Sequence, residues 1–166
     1  MYEWLYELSP YYPIVLFVAS ALDIFFATGL FLYGAAMMSS VAMMHATGMI
    51  TVEMIAISSY AGTMLGNTLN YYSGRIFHQS PVITKRLEHP KVQKIRHFLQ
   101  HKGLFVYIAV ARFVAVTRPL YALVLGSLKI KFHRFILYEA IIALIWIMFW
   151  LFILIQGEQL YYFITK

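Results

Sequence analysis

The chain has 166 residues, of which 61% are hydrophobic, 17% aromatic and 12% charged. A soluble domain of this length has no use for so large an apolar fraction, so the composition points to a bilayer and to one membrane domain, residues 1–166. The net charge of +6 does not signal nucleic acid, because ten of the thirteen Lys and Arg residues flank apolar segments between positions 75 and 134, a distribution that sets membrane topology.

The absence of cysteine excludes disulfides, thiolate metal sites and cysteine catalysis. The first thirteen residues, MYEWLYELSPYYP, carry two acids and no basic residue. They lack the positive region of a cleavable signal peptide, so the first apolar segment is expected to be retained.

That segment, 14–44, is about thirty residues long and contains Asp23, Gly29 and Gly34; it is too long and too interrupted for one simple span of roughly twenty residues. Residues 49–72 read as a transmembrane helix. No Lys or Arg occurs before Arg75, whereas 75–103 carries Arg75, Lys85, Arg86, Lys91, Lys94, Arg96 and Lys102 and is expected to be a cytoplasmic loop. Within it, 88–103 places Val92, Ile95 and Leu99 on one face between a starting Pro90 and a stopping Gly103. An amphipathic helix in the membrane interface is predicted, with 85–102 attracted to anionic lipid headgroups.

The third apolar stretch, 104–128, contains Arg112, Arg118 and Pro119 and is followed by Lys129, Lys131 and Arg134. Basic flanks at both ends put both on the cytoplasmic side, so the stretch is predicted to enter and turn back near Ala115 to Pro119 as a re-entrant hairpin. The first stretch, with no basic flank, is then a matching hairpin from the opposite side. Residues 135–155 form the last transmembrane helix. The expected fold is an all-α membrane protein of two inverted units, each a re-entrant helical hairpin followed by a transmembrane helix, with the interfacial helix between them. Such units are a transporter architecture.

Arg112 and Arg118 are the main candidates for chemistry, because a charge at membrane depth costs a few kcal/mol or more and needs a partner. Asp23, Glu53 and Glu139 are the available carboxylates, and a substrate phosphate is the alternative, since guanidinium matches phosphate geometry and stays charged. Pairing of both arginines with carboxylates is the purely structural reading. Asp23 is the first candidate for ion or proton coupling. Glu139, one turn into the last span, ranks below it because it is close enough to reach the inner interface, and Glu53 is expected to be hydrated. Gly62, Gly66, Asn70 and Gly74 recur every four residues on one helix face and predict close packing. His97 and His101 are one turn apart but lack a third ligand, so no metal site is expected, and no cofactor motif is present.

Two segments resemble the DedA family, also described as VTT-domain proteins. GTMLGNTLNYYSGR at 62–75 is similar to the family's glycine-rich helix end, and 111–157 is similar in its Arg112, Phe113, Arg118, Gly126, Phe135 and Trp146. The resemblance implies a bacterial inner-membrane protein linked to lipid transport, with Arg112 and Arg118 functionally essential and Gly126 and Trp146 as packing positions. A proline usual between the arginines is absent, with Ala115 in that region. The first hairpin has Asp23 but no second acid, Ala27 standing about where it would fall.

The leading expectation is therefore a transporter that flips or scrambles a phosphate-bearing lipid, undecaprenyl phosphate or a phospholipid, with Arg112 and Arg118 receiving the headgroup. Alternatives are a proton-coupled exporter of small cations or drugs through Asp23, and a non-transporting membrane scaffold. The small-residue face leaves a homo-oligomer open. No enzyme is expected, since the histidines and the serine-glycine loop of a lipid phosphatase are missing.

Overall fold

The computed structural model describes residues 9–29, 34–81, 85, 87–114 and 117–165, and among these no strand occurs. After a short 3-10 turn, Ser9–Tyr11, come α1 (Tyr12–Ile24), α2 (Gly34–Ala46) and α3 (Val52–Phe77). Then follow α4 (Pro90–Phe98), α5 (Leu104–Phe113), α6 (Tyr121–Ser127) and α7 (Phe132–Thr165). Thr51 caps α3 by accepting from the Met54 amide at 3.3 Å, and Glu53 lies exposed in the first turn, where it complements the helix dipole. Gly103 does not act as the expected stop: Leu99–Gly103 forms a π-helical turn that runs straight into α5. The Arg134 guanidinium donates to the Gln100 carbonyl in that turn.

Two long helices set the frame. α7 contains Phe132–Gly157, 26 residues long and apolar enough to cross a bilayer, and among the described residues no other helix meets both conditions. α3 is also 26 residues long, about 39 Å at 1.5 Å per residue, but its packed face carries Ser58, Thr63, Asn67 and Asn70. The two run antiparallel, with Tyr71 stacked on Phe135 at 5.0 Å and Asn67 bonded to Glu139 at 2.7 Å.

Apolar residues gather at the two ends of this frame. At one end Tyr12 and Leu16 of α1 meet Val41 of α2, Ile55 of α3 and Ile147 and Leu151 of α7. At the other, Leu99, Leu104 and Ile108 meet Leu125, Leu128 and Phe135. The start of α1 therefore lies beside the end of α2, and the start of α5 beside the end of α6. The first cluster thus joins α1 and α2 to one part of α7, and the second joins α5 and α6 to another.

The breaks inside the two pairs repeat one another. α1 stops at Phe25 and α5 at Val114, both in extended conformation. Thr28 donates its hydroxyl to Leu22 O (2.5 Å) and Phe25 O (3.4 Å), and Thr117 to Ala111 O (2.7 Å) and Val114 O (3.0 Å). The backbone copies this register: the Thr28 and Gly29 amides bond Phe25 O, and those of Thr117 and Arg118 bond Val114 O. The threonine hydroxyl supplies a donor to carbonyls that the broken helix leaves exposed, which backbone away from water requires. Ala115 lies outside the described residues.

Close backbone approach holds the pairs to α3. A Cβ on Gly62 would sit 2.3 Å from Phe17 O and one on Gly66 2.7 Å from Ala21 O, both in α1. On Gly74 it would meet Leu123 O at 2.0 Å, and on Gly126 Tyr71 O at 2.0 Å. The four-residue stripe of α3 thus serves two partners: its first half seats α1 and its end seats α6. α6 closes in a Schellman ending, with Lys129 N–H to Gly126 O at 3.0 Å and Ile130 N–H to Leu125 O at 3.1 Å. Lys129 occupies its left-handed position at φ 55°, where a side chain costs on the order of 1 kcal/mol and glycine is favoured.

Gly74→Ala and Gly126→Ala are each expected to destabilise by about 1–3 kcal/mol, because backbone carbonyls cannot move aside. Gly157→Ala, with open space around it, should be neutral or stabilising by up to about 1 kcal/mol. Thermal unfolding of the three variants in detergent distinguishes them.

Candidate functional site

Between the two apolar clusters lies a layer of buried polar groups. Asn70, fully buried, accepts from the Phe26 amide (2.8 Å) and donates to Ile24 O (2.8 Å) and Pro119 O (3.0 Å). One side-chain amide therefore satisfies backbone from both helix breaks. Its role extends beyond the close packing expected from its place in the glycine stripe.

The two arginines flank this junction in different environments. Arg112 has 1% of its side chain exposed and pairs with Glu139, which is wholly buried. Tyr121 completes the cluster: Arg112 Nη2 donates to its hydroxyl at 3.2 Å, and that hydroxyl donates to Glu139 Oε2 at 2.6 Å. Asn67 donates to Glu139 Oε1. Glu139 thus turns inward and does not reach for the inner interface as its depth suggested, because its helix face is the one packed against α3 and the second pair.

Arg118, set at the break before Pro119, pairs through Nη2 with Asp23 of α1. Its side chain is 26% exposed, against 7% for Asp23. Its Nε, like that of Arg112, has no hydrogen-bond partner. The layer is electrically neutral, with two cations and two carboxylates, but its pairs are unequal: one is sealed within a four-residue network and the other is partly open with spare donor capacity. Trp146 packs edge-on against the Phe113 ring at the tip of α5, with centroids 5.0 Å apart. His97 and His101 stack at 4.1 Å on the exposed face of α4 and its extension, outside this layer.

Neither Asn67 nor Tyr121 stands out in the sequence as a candidate. Asn67 is a polar residue between two expected packing positions, a usable signal. Tyr121 is one of thirteen tyrosines and nothing in its local sequence distinguishes it.

The family model described as the VTT domain matches residues 23–156. An uncharacterized membrane protein of Buchnera aphidicola subsp. Acyrthosiphon pisum is 27% identical over 138 residues, covering 82% of this chain and 54% of that protein. Another, from Buchnera aphidicola subsp. Schizaphis graminum, is 28% identical over 131 residues, covering 78% and 52% respectively. The chain spans about half the length of these curated relatives. No solved structure matches.

Removing one partner of a buried pair strands the other charge, at about 3–5 kcal/mol. Glu139→Ala is therefore expected to lose most folded protein, and Arg112→Leu combined with Glu139→Leu to recover much of it. Asp23→Asn should be milder, since Arg118 is only partly buried, at 26% exposure. Folded yield and melting temperature after detergent extraction give the comparison.

Proposed function

The chain belongs to the DedA, or VTT-domain, family of bacterial membrane proteins, and from that premise we propose that it is a multi-pass inner-membrane protein that flips or scrambles a phosphate-bearing lipid. Undecaprenyl phosphate and phospholipids are the substrate candidates. In this proposal α3 and α7 span the bilayer. The pairs α1–α2 and α5–α6 are re-entrant hairpins entering from opposite faces and meeting at the Asn70 junction.

The observation that carries the proposal is the open Arg118–Asp23 pair at the meeting point of two broken helices. A headgroup phosphate arriving there takes the place of the Asp23 carboxylate, and a guanidinium with an uncommitted Nε offers it two parallel hydrogen bonds. In the exchange the phosphate takes over Arg118 and the displaced Asp23 carboxylate has to turn out of the layer toward water, while the head crosses and the acyl or prenyl tails stay in lipid. Arg112 acts as a positioning residue in this scheme. Held by Glu139, Tyr121 and Asn67, it fixes the second hairpin against α3 and α7. Both carboxylates of the layer are committed to arginines, which favours anion exchange over proton carriage through Asp23 or Glu139.

In liposomes containing the purified protein, headgroup translocation should fall about ten- to a hundredfold in Arg118→Ala, the equivalent of one charge-assisted contact of about 1.5–3 kcal/mol. Arg118→Lys should retain part of the activity. Collapsing a proton gradient should leave the rate unchanged. Undiminished translocation by a correctly folded Arg118→Ala variant would count against the proposal.

A further inference from the structure

Away from the polar layer, a cavity of about 230 Å³ lies between α4 and the end of α6, with His78, Glu88, Gln93, Arg96, Ser127 and Lys129 among its walls. Two observations single it out. The Arg96 Nε is shielded from solvent and has no hydrogen-bond partner, so one donor of a charged fork is withdrawn from water and unused. Lys129 stands in the left-handed position of the α6 ending, where glycine is unstrained and a lysine is justified by what its side chain does. Both cations face the same space.

The walls are otherwise braced. The Ser127 carbonyl accepts from His78 Nδ1 at 2.8 Å, tying the end of α3 to the end of α6, and Gln93 donates to Leu87 O at 2.7 Å. Among the described residues, the ion pairs are those of Arg112 with Glu139 and Arg118 with Asp23; Arg96, Lys129 and Glu88 belong to neither. Two cations against one carboxylate leave the cavity net positive. Its volume is below the roughly 300–1,000 Å³ of sites that enclose whole drug-sized ligands, which suits a phosphate group.

We propose that this cavity binds a phosphate group, free or as the headgroup of a lipid, with Arg96 and Lys129 as its charged contacts. It is a discrete site, unlike the diffuse attraction exerted by the exposed Lys85, Lys91 and Lys94, and it stands whether or not the protein moves lipid.

Calorimetric titration of the purified full chain in detergent uses three probes: inorganic phosphate, dihexanoyl phosphatidic acid and phosphate-free dihexanoylglycerol. Phosphatidic acid should bind and dihexanoylglycerol should not. Binding of inorganic phosphate as well identifies the free ion as a sufficient ligand; binding of phosphatidic acid alone identifies the lipid headgroup. Arg96→Gln and Lys129→Gly should each weaken binding at least tenfold, about 1.4 kcal/mol, and should do so equally in an Arg118→Ala background, where the proposed headgroup contact of the polar layer is already removed. Lys129→Gly should also raise the melting temperature without ligand by relieving the left-handed strain, which separates lost binding from lost folding. No binding of either phosphate probe, wild-type affinity in both variants, or equal binding of dihexanoylglycerol would overturn the proposal.

Discussion

Broken helices inside a low-dielectric medium need hydrogen-bond partners for the backbone they expose, and here one side chain meets much of that need for two breaks at once. Asn70 takes the Phe26 amide and gives to Ile24 O and Pro119 O. Thr28 and Thr117 supply matching donors within each break. The glycines follow from this arrangement. If α1 and α6 are to bring their breaks to the same asparagine, both must lie against α3 at backbone contact, and Gly62, Gly66, Gly74 and Gly126 are where a Cβ would prevent it.

The same junction sorts the charges. Carbonyl-rich helix breaks and two guanidiniums share a layer between two apolar clusters, and each arginine needs a carboxylate nearby because unpaired charge there is expensive. Arg112 lies on α5 where it faces α7, so Glu139 answers it and the packing seals both. Arg118 follows the break, where the chain turns away from the helices, so its pair with Asp23 remains partly open. The difference in environment between two residues six apart is a product of helix ending, and the proposed division into an anchoring and an exchanging arginine rests on it.

Much of this order is readable before folding. The all-helical fold follows from the long apolar stretches, and Pro119 marks the second break because the residue preceding a proline leaves helical geometry; the opposed entry of the two pairs, which the charge pattern suggests, remains part of the proposal. The first break has no proline, and its likeness to the second is hidden. LDIFFATG at 22–29 and ARFVAVTR at 111–118 share one identical position, Thr28 with Thr117, and oppose Asp23 to Arg112 and Gly29 to Arg118. A shared backbone pattern survives on that threonine alone. Pairings across 72 residues, such as Asn67 with Glu139, depend on how α3 and α7 rotate about their axes. Depth in the membrane can be counted along a sequence; helix rotation cannot, which is why Glu139 reads as interfacial in sequence and lies buried in the fold.

The proposed arrangement, two broken helix pairs that enter from opposite faces and meet at Asn70, is directly testable in intact cells and in inverted membrane vesicles because the chain has no native cysteine. Single cysteines at the exposed positions Tyr11, Thr47, Lys91 and Lys131, probed with a membrane-impermeant maleimide, report the face on which each flank lies. Lys91→Cys and Lys131→Cys are both expected to be labelled only in inverted vesicles, from the cytoplasmic face, and Tyr11→Cys and Thr47→Cys both only in intact cells, from the opposite side. Labelling that divides either pair between the two faces would contradict the arrangement.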